Sequence, residues 1–223
     1  MEDIDAIAVL QDPVRRRLYE YVVAQGREVG RNEAAEGAGV ARTLAAHHLD
    51  KLTEAGLLQS GSRRLTGRSG PGAGRPAKVY VRAPGERSVS LPGRDYRTAA
   101  ELLAEAAEEA GLDAGLCAAA YRRGESLRGG AAPCEGLEEA VELLAARGYE
   151  PYVELAEGGG AGAVRLRNCP FHAVAERFPP LVCGMNLALL DGLLGTDGPV
   201  RARMDARPGE CCVVVEASKS NSH

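Results

Sequence analysis

The 223-residue sequence predicts an α+β chain in two parts. Three helix-periodic segments before residue 56 lead into a pair of short strands. A Pro- and Gly-containing linker then precedes an Ala/Leu/Glu-rich helix, and beyond residue 135 helices alternate with short strands and a Gly-rich turn. A composition 45% hydrophobic and 26% charged is that of a folded chain and argues against disorder. Aromatics are only 4%, with no Trp, so the cores must rest on Leu, Val and Ala, and stacking platforms for single-stranded nucleic acid are not expected.

In chain order, Ile4, Ile7 and Val9-Leu10 form a short apolar stripe. Asp12-Pro13 is a helix entrance, because Asp caps the first turn and Pro is tolerated there. Val14, Leu18, Tyr21 and Val22 recur at helical spacing up to a stop at Gly26, and Asn32–Glu36 suits a short helix before the tight turn Gly37-Ala38-Gly39. The best helix spans residues 41–55. Leu44, Ala45, His48, Leu49 and Leu52 share one side, while Arg42, Thr43, Ala46, His47 and Asp50 share another. Leu57-Leu58-Gln59 and Lys78-Val79-Tyr80-Val81-Arg82 read as strands joined by a long arm, Gly61 to Pro76. Three helices followed by a basic hairpin is the order of a winged helix-turn-helix.

The domain organisation expected is a winged helix-turn-helix DNA-binding domain over 1–92, connecting or dimerisation helices over 93–134, a C-terminal α+β sensor domain with a small antiparallel sheet over 135–217, and a tail at 218–223. Within the middle segment, Ala99, Leu102, Leu103, Ala106 and Ala110 form an apolar seam suited to a dimer helix or to a connector. In the sensor domain the expected elements are a helix at 136–147, strands at 149–155 and 162–168 around Gly158-Gly159-Gly160, a helix at 180–194, and strands near 199–205 and 211–216.

A formal net charge of −4 is misleading until divided. Residues 1–92 carry 14 basic against 11 acidic side chains, and residues 60–87 carry seven basic against the single acid Glu86. Local charge decides whether a face attracts phosphate. The major groove, about 12 Å wide, admits one helix whose outward N-terminal residues reach base edges. On the 41–55 helix those are Arg42, suited to guanine O6 and N7, Thr43, suited to a thymine methyl or a phosphate, and His47. Lys51 and the arm residues Arg63, Arg64, Arg68 and Arg75 suit phosphate or the minor groove. His48, on the apolar side, is expected at the core edge. The expected partners are a double-stranded DNA operator and a second copy of the chain, because half-sites one turn apart require a dimer.

No apolar run approaches the roughly 20 residues that span a bilayer, and Met1-Glu2-Asp3 lacks the positive flank of a signal peptide, so a cytoplasmic protein without membrane contact is expected. Six cysteines in that setting are better read as thiols, ligands or core residues than as a disulfide framework. Cys169, Cys183 and Cys211 lie on three separate elements of the sensor domain, with His172 nearby and Cys212 adjacent to Cys211. Thiolates suit iron-sulfur clusters, and mixed thiolate and imidazole sets suit Zn²⁺. Buried core thiols are the competing reading, since Cys is among the most buried residue types. Strand alternation favours Cys211 over Cys212 as the inward member, with Val213 and Val215 sharing its face. Cys117 and Cys134 stand outside this set.

An enzyme is not expected. Cys169 and His172 would offer a nucleophile and a base without a third orienting group, and the Gly-rich segments 70–74 and 158–160 lack the Gly-Lys-Ser/Thr ending of a phosphate-binding loop.

The run Gly39-Val40-Ala41-Arg42, His48-Leu49, Leu52 and Glu54-Ala55-Gly56-Leu57-Leu58 resembles the winged-helix core of ArsR-like repressors. The continuation from Gly67 through Gly74-Arg75-Pro76-Ala77-Lys78-Val79-Tyr80 resembles the wing of the SufR group, repressors of iron-sulfur cluster assembly. The resemblance implies a homodimeric repressor with an iron-sulfur cluster on C-terminal cysteines, and the segment Asn168-Cys169-Pro170-Phe171-His172 with Cys183 and Cys211 looks like that site. The family pattern has four spaced cysteines, whereas this chain has none near Asp197, midway between Cys183 and Cys211. The fourth ligand is then His172, Cys212, a non-protein ligand or an open iron position. The alternatives are zinc in place of the cluster, or a regulator sensing a small organic effector with the thiols serving structure.

Overall fold

The computed structural model describes residues 2–63, 76–156 and 161–218. The chain divides into two compact units, Met1–Arg94 and Asp95–His223.

In the first unit, helix α1 (Glu2–Ala8) and a 3-10 turn (Val9–Gln11) lead to α2 (Pro13–Gln25). The α2 entrance is the one expected: Asp12 Oδ1 accepts from the backbone N–H of Val14 at 2.9 Å and of Arg15 at 3.0 Å, with Pro13 in the first turn. Gly26, at φ 61°, ends the helix in the left-handed region. Strand β1 (Val29–Gly30), α3 (Arg31–Gly37) and α4 (Arg42–Glu54) follow, with Gly39 at φ 65° turning the chain between the last two helices. Gly37 allows α3 to reach α2, since a Cβ there would sit 2.0 Å from the Tyr21 ring.

Ala45, His48, Leu49 and Leu52 of α4 are buried against Leu18, Val22, Val29 and Ala34. Leu44, expected on the same face, is 41% exposed. At 100° per residue it lies at the margin of the stripe that Ala45 and Leu49 centre.

The hairpin is longer and more regular than expected. Strands β2 (Leu58–Arg63) and β3 (Ala77–Arg82) pair antiparallel from Leu58↔Arg82 to Arg63↔Ala77, and β1 adds on the other side of β3 to give the order β1-β3-β2. Gly61 to Arg63 are therefore strand rather than arm. Arg64, Arg68 and Arg75 lie outside the described residues.

The second unit begins with α5 (Tyr96–Glu109), capped by Asp95 through the Thr98 N–H, and α6 (Asp113–Arg128). Neither helix is a segment apart: Ala104 of α5 is buried with Phe178, Leu181 and Val182, and α6 lies on a later helix of the same unit. Next come α7 (Leu137–Ala145), β4 (Pro151–Leu155), β5 (Ala161–Leu166), α8 (His172–Ala175), α9 (Pro179–Leu194), β6 (Val200–Met204) and β7 (Val213–Ala217). The sheet is antiparallel in the order β4-β5-β7-β6. Its inner face, with Val164, Leu166, Val200, Val213 and Val215, packs on Leu144, Leu190, Leu193 and Leu194. On its other face the guanidinium of Arg165, buried, is paired with Glu154 at 2.8 Å and with Asp205.

Helices α6 and α9 cross through glycines. A Cβ at Gly124 would meet Leu189 O at 2.2 Å, and one at Gly192 would meet Tyr121 O at 2.1 Å. Helix α6 went unnoticed as a distinct element because its sequence carries little apolar periodicity. Its contact is made by small residues and backbone instead.

Candidate DNA-reading helix and thiol cluster

Helix α4 presents Arg42, Thr43 and His47 to solvent near its N-terminus: Thr43 and His47 lie on the side opposite Ala45, Leu49 and Leu52, whereas Arg42 is exposed as the first residue of the helix. Three of the four residues of α4 expected to meet DNA are thus exposed at the N-terminal end of the helix, reached across the Gly39 turn. Lys51, also exposed, holds Glu54 at 2.8 Å, and Arg63 at the end of β2 holds Glu28 at 3.3 Å. Such surface pairs contribute about 0–1 kcal/mol, so either cation is readily traded to a phosphate.

Asp50 is not part of the reading face. Its carboxylate accepts from Tyr80 Oη at 2.9 Å and Lys78 Nζ at 2.7 Å, and it faces the Arg31 guanidinium at 3.4 Å. Arg31 Nε in turn donates to the Tyr80 hydroxyl at 2.9 Å. Lys78 and Tyr80 are the main influences holding the Asp50 carboxyl below its usual range against the opposing effect of burial. This network joins α4, the start of α3 and β3. The sequence signal for it was the tyrosine on the inward face of β3, whose hydroxyl needed a partner.

His48 lies at the core edge, as its stripe position predicted. Burial pushes its pKa below 6.5, with Asp12 opposing, and Nδ1 has no hydrogen-bond partner among the described residues.

In the second unit, Cys169 follows β5, Cys183 is on α9, and Cys211 and Cys212 lie just before β7. Their thiol contacts run as a chain, Cys169 to Cys211, Cys211 to Cys212, and Cys212 to Cys183. All are free thiols. The neighbouring Cys169 and Cys212 thiols, and then the Val213 N–H and Asn186, hold Cys211 far below the usual thiol range despite burial. Cys169 and Cys212 are pushed up, chiefly by Cys211 and then by burial. Among the described residues, no group of three His, Cys, Asp or Glu side chains stands in ready metal-binding geometry, so the thiols are gathered without being preformed around one centre.

Cys211 is the inward member of the pair, buried in the core with Val213 and Val215 as alternation predicts, while Cys212 is only partly buried against that core. Both precede the strand: Cys211 N–H donates to Leu166 O at 2.9 Å, and Cys212 O accepts from Asp205 N–H at 2.8 Å. Outside regular strand geometry the two side chains are free to approach the same locus, and both do. The His172 ring is 71% exposed and rests on Glu176 at 3.2 Å, so the structure brings Cys212, not His172, to the other thiols. Cys134, by contrast, is a core thiol whose Sγ donates to Gly136 O at 3.3 Å.

Asn186 and Tyr149 were missed from sequence. Asn186 Nδ2 donates to Cys211 Sγ at 3.4 Å, and its Oδ1 accepts from Tyr149 Oη at 2.5 Å. The signal was available: Asn186, three residues after Cys183, and Asp191 are the polar side chains of a helix that is otherwise apolar.

The fold and the exposed α4 residues define the class: a winged helix-turn-helix of the kind used by DNA-binding transcription regulators. A family model described as a helix-turn-helix domain matches residues 10–60, from the 3-10 turn before α2 into β2. Comparisons with curated proteins and with solved structures give no match. Among the described residues no helix is long and apolar enough to cross a membrane.

Proposed function

We propose that the chain is a homodimeric, sequence-specific transcription regulator, acting as a repressor, whose operator affinity is controlled by an iron-sulfur cluster held by Cys169, Cys183, Cys211 and Cys212. The observation that carries the reading is the coexistence of exposed Arg42, Thr43 and His47 at the N-terminal end of α4 with four neighbouring thiols drawn from three places in the second unit. The donor set fits by its chemistry: four soft sulfur ligands suit a cluster or Zn²⁺ and do not suit hard cations. A bound cluster supplies redox and assembly state as the signal. The residues themselves tie that signal to structure, because Cys183 is on α9 and Cys169 and Cys211 flank the paired strands β5 and β7.

Dimerisation is supported by α5. Tyr96, Leu102 and Leu103 are exposed, at 73%, 62% and 73%, and Leu102 lies across the helix from the buried Ala104. Exposed apolar side chains repeating along a helix mark an interaction surface.

The test is anaerobic purification with iron, acid-labile sulfide and zinc quantified, followed by operator binding of the loaded and stripped forms. Iron and sulfide in stoichiometric amounts, with a change in DNA affinity on stripping, is the expected result. One zinc and no iron would select a structural thiol site with a different effector. Absence of iron, sulfide and zinc would refute metal control altogether.

A further inference from the structure

The thiol site has a polar support buried behind it, and it is built from one direction. Asn186 is fully buried on α9, three residues beyond Cys183 on the same helix, and Tyr149, also buried, precedes β4. Tyr149 O–H donates to Asn186 Oδ1, which leaves the amide N–H directed at Cys211 Sγ. A thiolate sulfur only accepts, so this is the one amide orientation compatible with Cys211 as a ligand. The alternative orientation would direct an oxygen lone pair at a negatively charged sulfur. Burial raises the Tyr149 pKa, which keeps its proton available for donation.

We infer that Asn186, locked by Tyr149, is a positioning residue that orients Cys211 and withdraws charge from its sulfur, so that this thiol differs electronically from Cys169, Cys183 and Cys212. The inference rests on the reading of the four thiols as a metal or cluster site. N–H···S hydrogen bonds are one of the means by which proteins tune sulfur-ligated metals, and loss of such supporting partners costs roughly tenfold to a hundredfold in metal affinity. A mere packing role for Asn186 would be served equally by a side chain of the same volume without an N–H.

The experiment uses the full chain, reduced and anaerobic, with Co²⁺ as the probe. Thiolate-bound Co²⁺ gives a sulfur-to-metal charge-transfer band whose energy reports charge on sulfur. Asn186→Leu, close in volume, is expected to move that band to longer wavelength, because unsupported sulfur yields its electron more easily, and to weaken Co²⁺ binding by roughly tenfold to a hundredfold. Tyr149→Phe keeps the amide but loses its lock and is expected to shift the band the same way by less. It also serves should Asn186→Leu fold poorly, and thermal unfolding of both variants separates a stability loss from the spectral effect. A band and affinity identical to wild type in both variants, with Cys211→Ser altering both, would overturn the role of Asn186 while leaving the site intact. Absence of the band in the wild-type chain would overturn the site and, with it, this inference.

Discussion

At the scale of single residues, the environment rather than the residue type separates roles. His47 and His48 are neighbours on α4, their rings 5.3 Å apart, yet one is exposed and the other is buried. The pKa of His48 is depressed in the folded state, so the unfolded chain takes up its proton first. The stability contributed by neutral His48 is therefore present above pH 6.5 and lost as pH falls through the folded value. The midpoint of urea unfolding of the first unit should fall as the pH is lowered from 7 to 5, and His48→Leu should flatten that dependence. An unchanged slope in the variant would show that other groups carry it. Arg42→Ala is expected to weaken operator binding by about 1–3 kcal/mol and to relax preference at one base pair, whereas Lys51→Ala should weaken all sequences alike and reduce the salt dependence. Titration against matched and single-substitution duplexes at two salt concentrations distinguishes the two.

At the scale of elements, close backbone approach does the work that large side chains do elsewhere. The α6–α9 crossing leaves no room for a Cβ at Gly124 or Gly192. Alanine is the better helix former by about 1 kcal/mol, but the overlap with Leu189 O or Tyr121 O forces the helices apart, and overpacking of this kind costs about 1–3 kcal/mol. Gly124→Ala should therefore lower the stability of the second unit in chemical denaturation despite its helix propensity. A stabilised variant would mean that the crossing relaxes freely. In the first unit, the contacts of Asp50 with Tyr80, Lys78 and Arg31 bind the reading helix to the hairpin and to α3. Tyr80→Phe removes the hydroxyl from a buried network and should cost about 1–2 kcal/mol, read as a shift of the denaturation midpoint.

At the scale of the whole molecule, the proposed regulator needs two copies. The seam Ala99-Leu102-Leu103-Ala106 on α5 reads the same in both directions about its centre, so an antiparallel two-fold pairing would set Leu against Leu and Ala against Ala, the self-complementarity that an isologous interface requires. Leu102→Glu with Leu103→Glu should convert a dimer to a monomer in light scattering. Because neither side chain is part of a core, thermal stability of the second unit should change little, while operator binding weakens. A double variant that remains dimeric would place the interface elsewhere.

Sequence alone determined what depends on local pattern. Asp12-Pro13, Gly26 and Gly39 announced the borders of α2 and the turn before α4, because capping and left-handed turns act over three or four residues. The period of Ala45, Leu49 and Leu52 set which side of α4 is free for Thr43 and His47, and Arg42 is exposed because it opens the helix. The antiparallel strands of the second unit were legible from short β-prone runs between turns. Tertiary structure decided what depends on residues distant in the chain. It placed Asp50 with Tyr80 and Lys78, withdrew Leu44 from the core, made α6 a packed partner of α9 through glycine, and left the α5 seam uncovered. At the thiols it kept Cys211 inward with Val213 and Val215 but also brought Cys212 near the other thiols and left His172 on Glu176, because Cys211 and Cys212 precede β7, tied to Leu166 O and the Asp205 N–H. Periodicity predicts a side chain's direction only where the backbone is regular, and the thiols and their Asn186 support meet at the ends of the elements, where it is not.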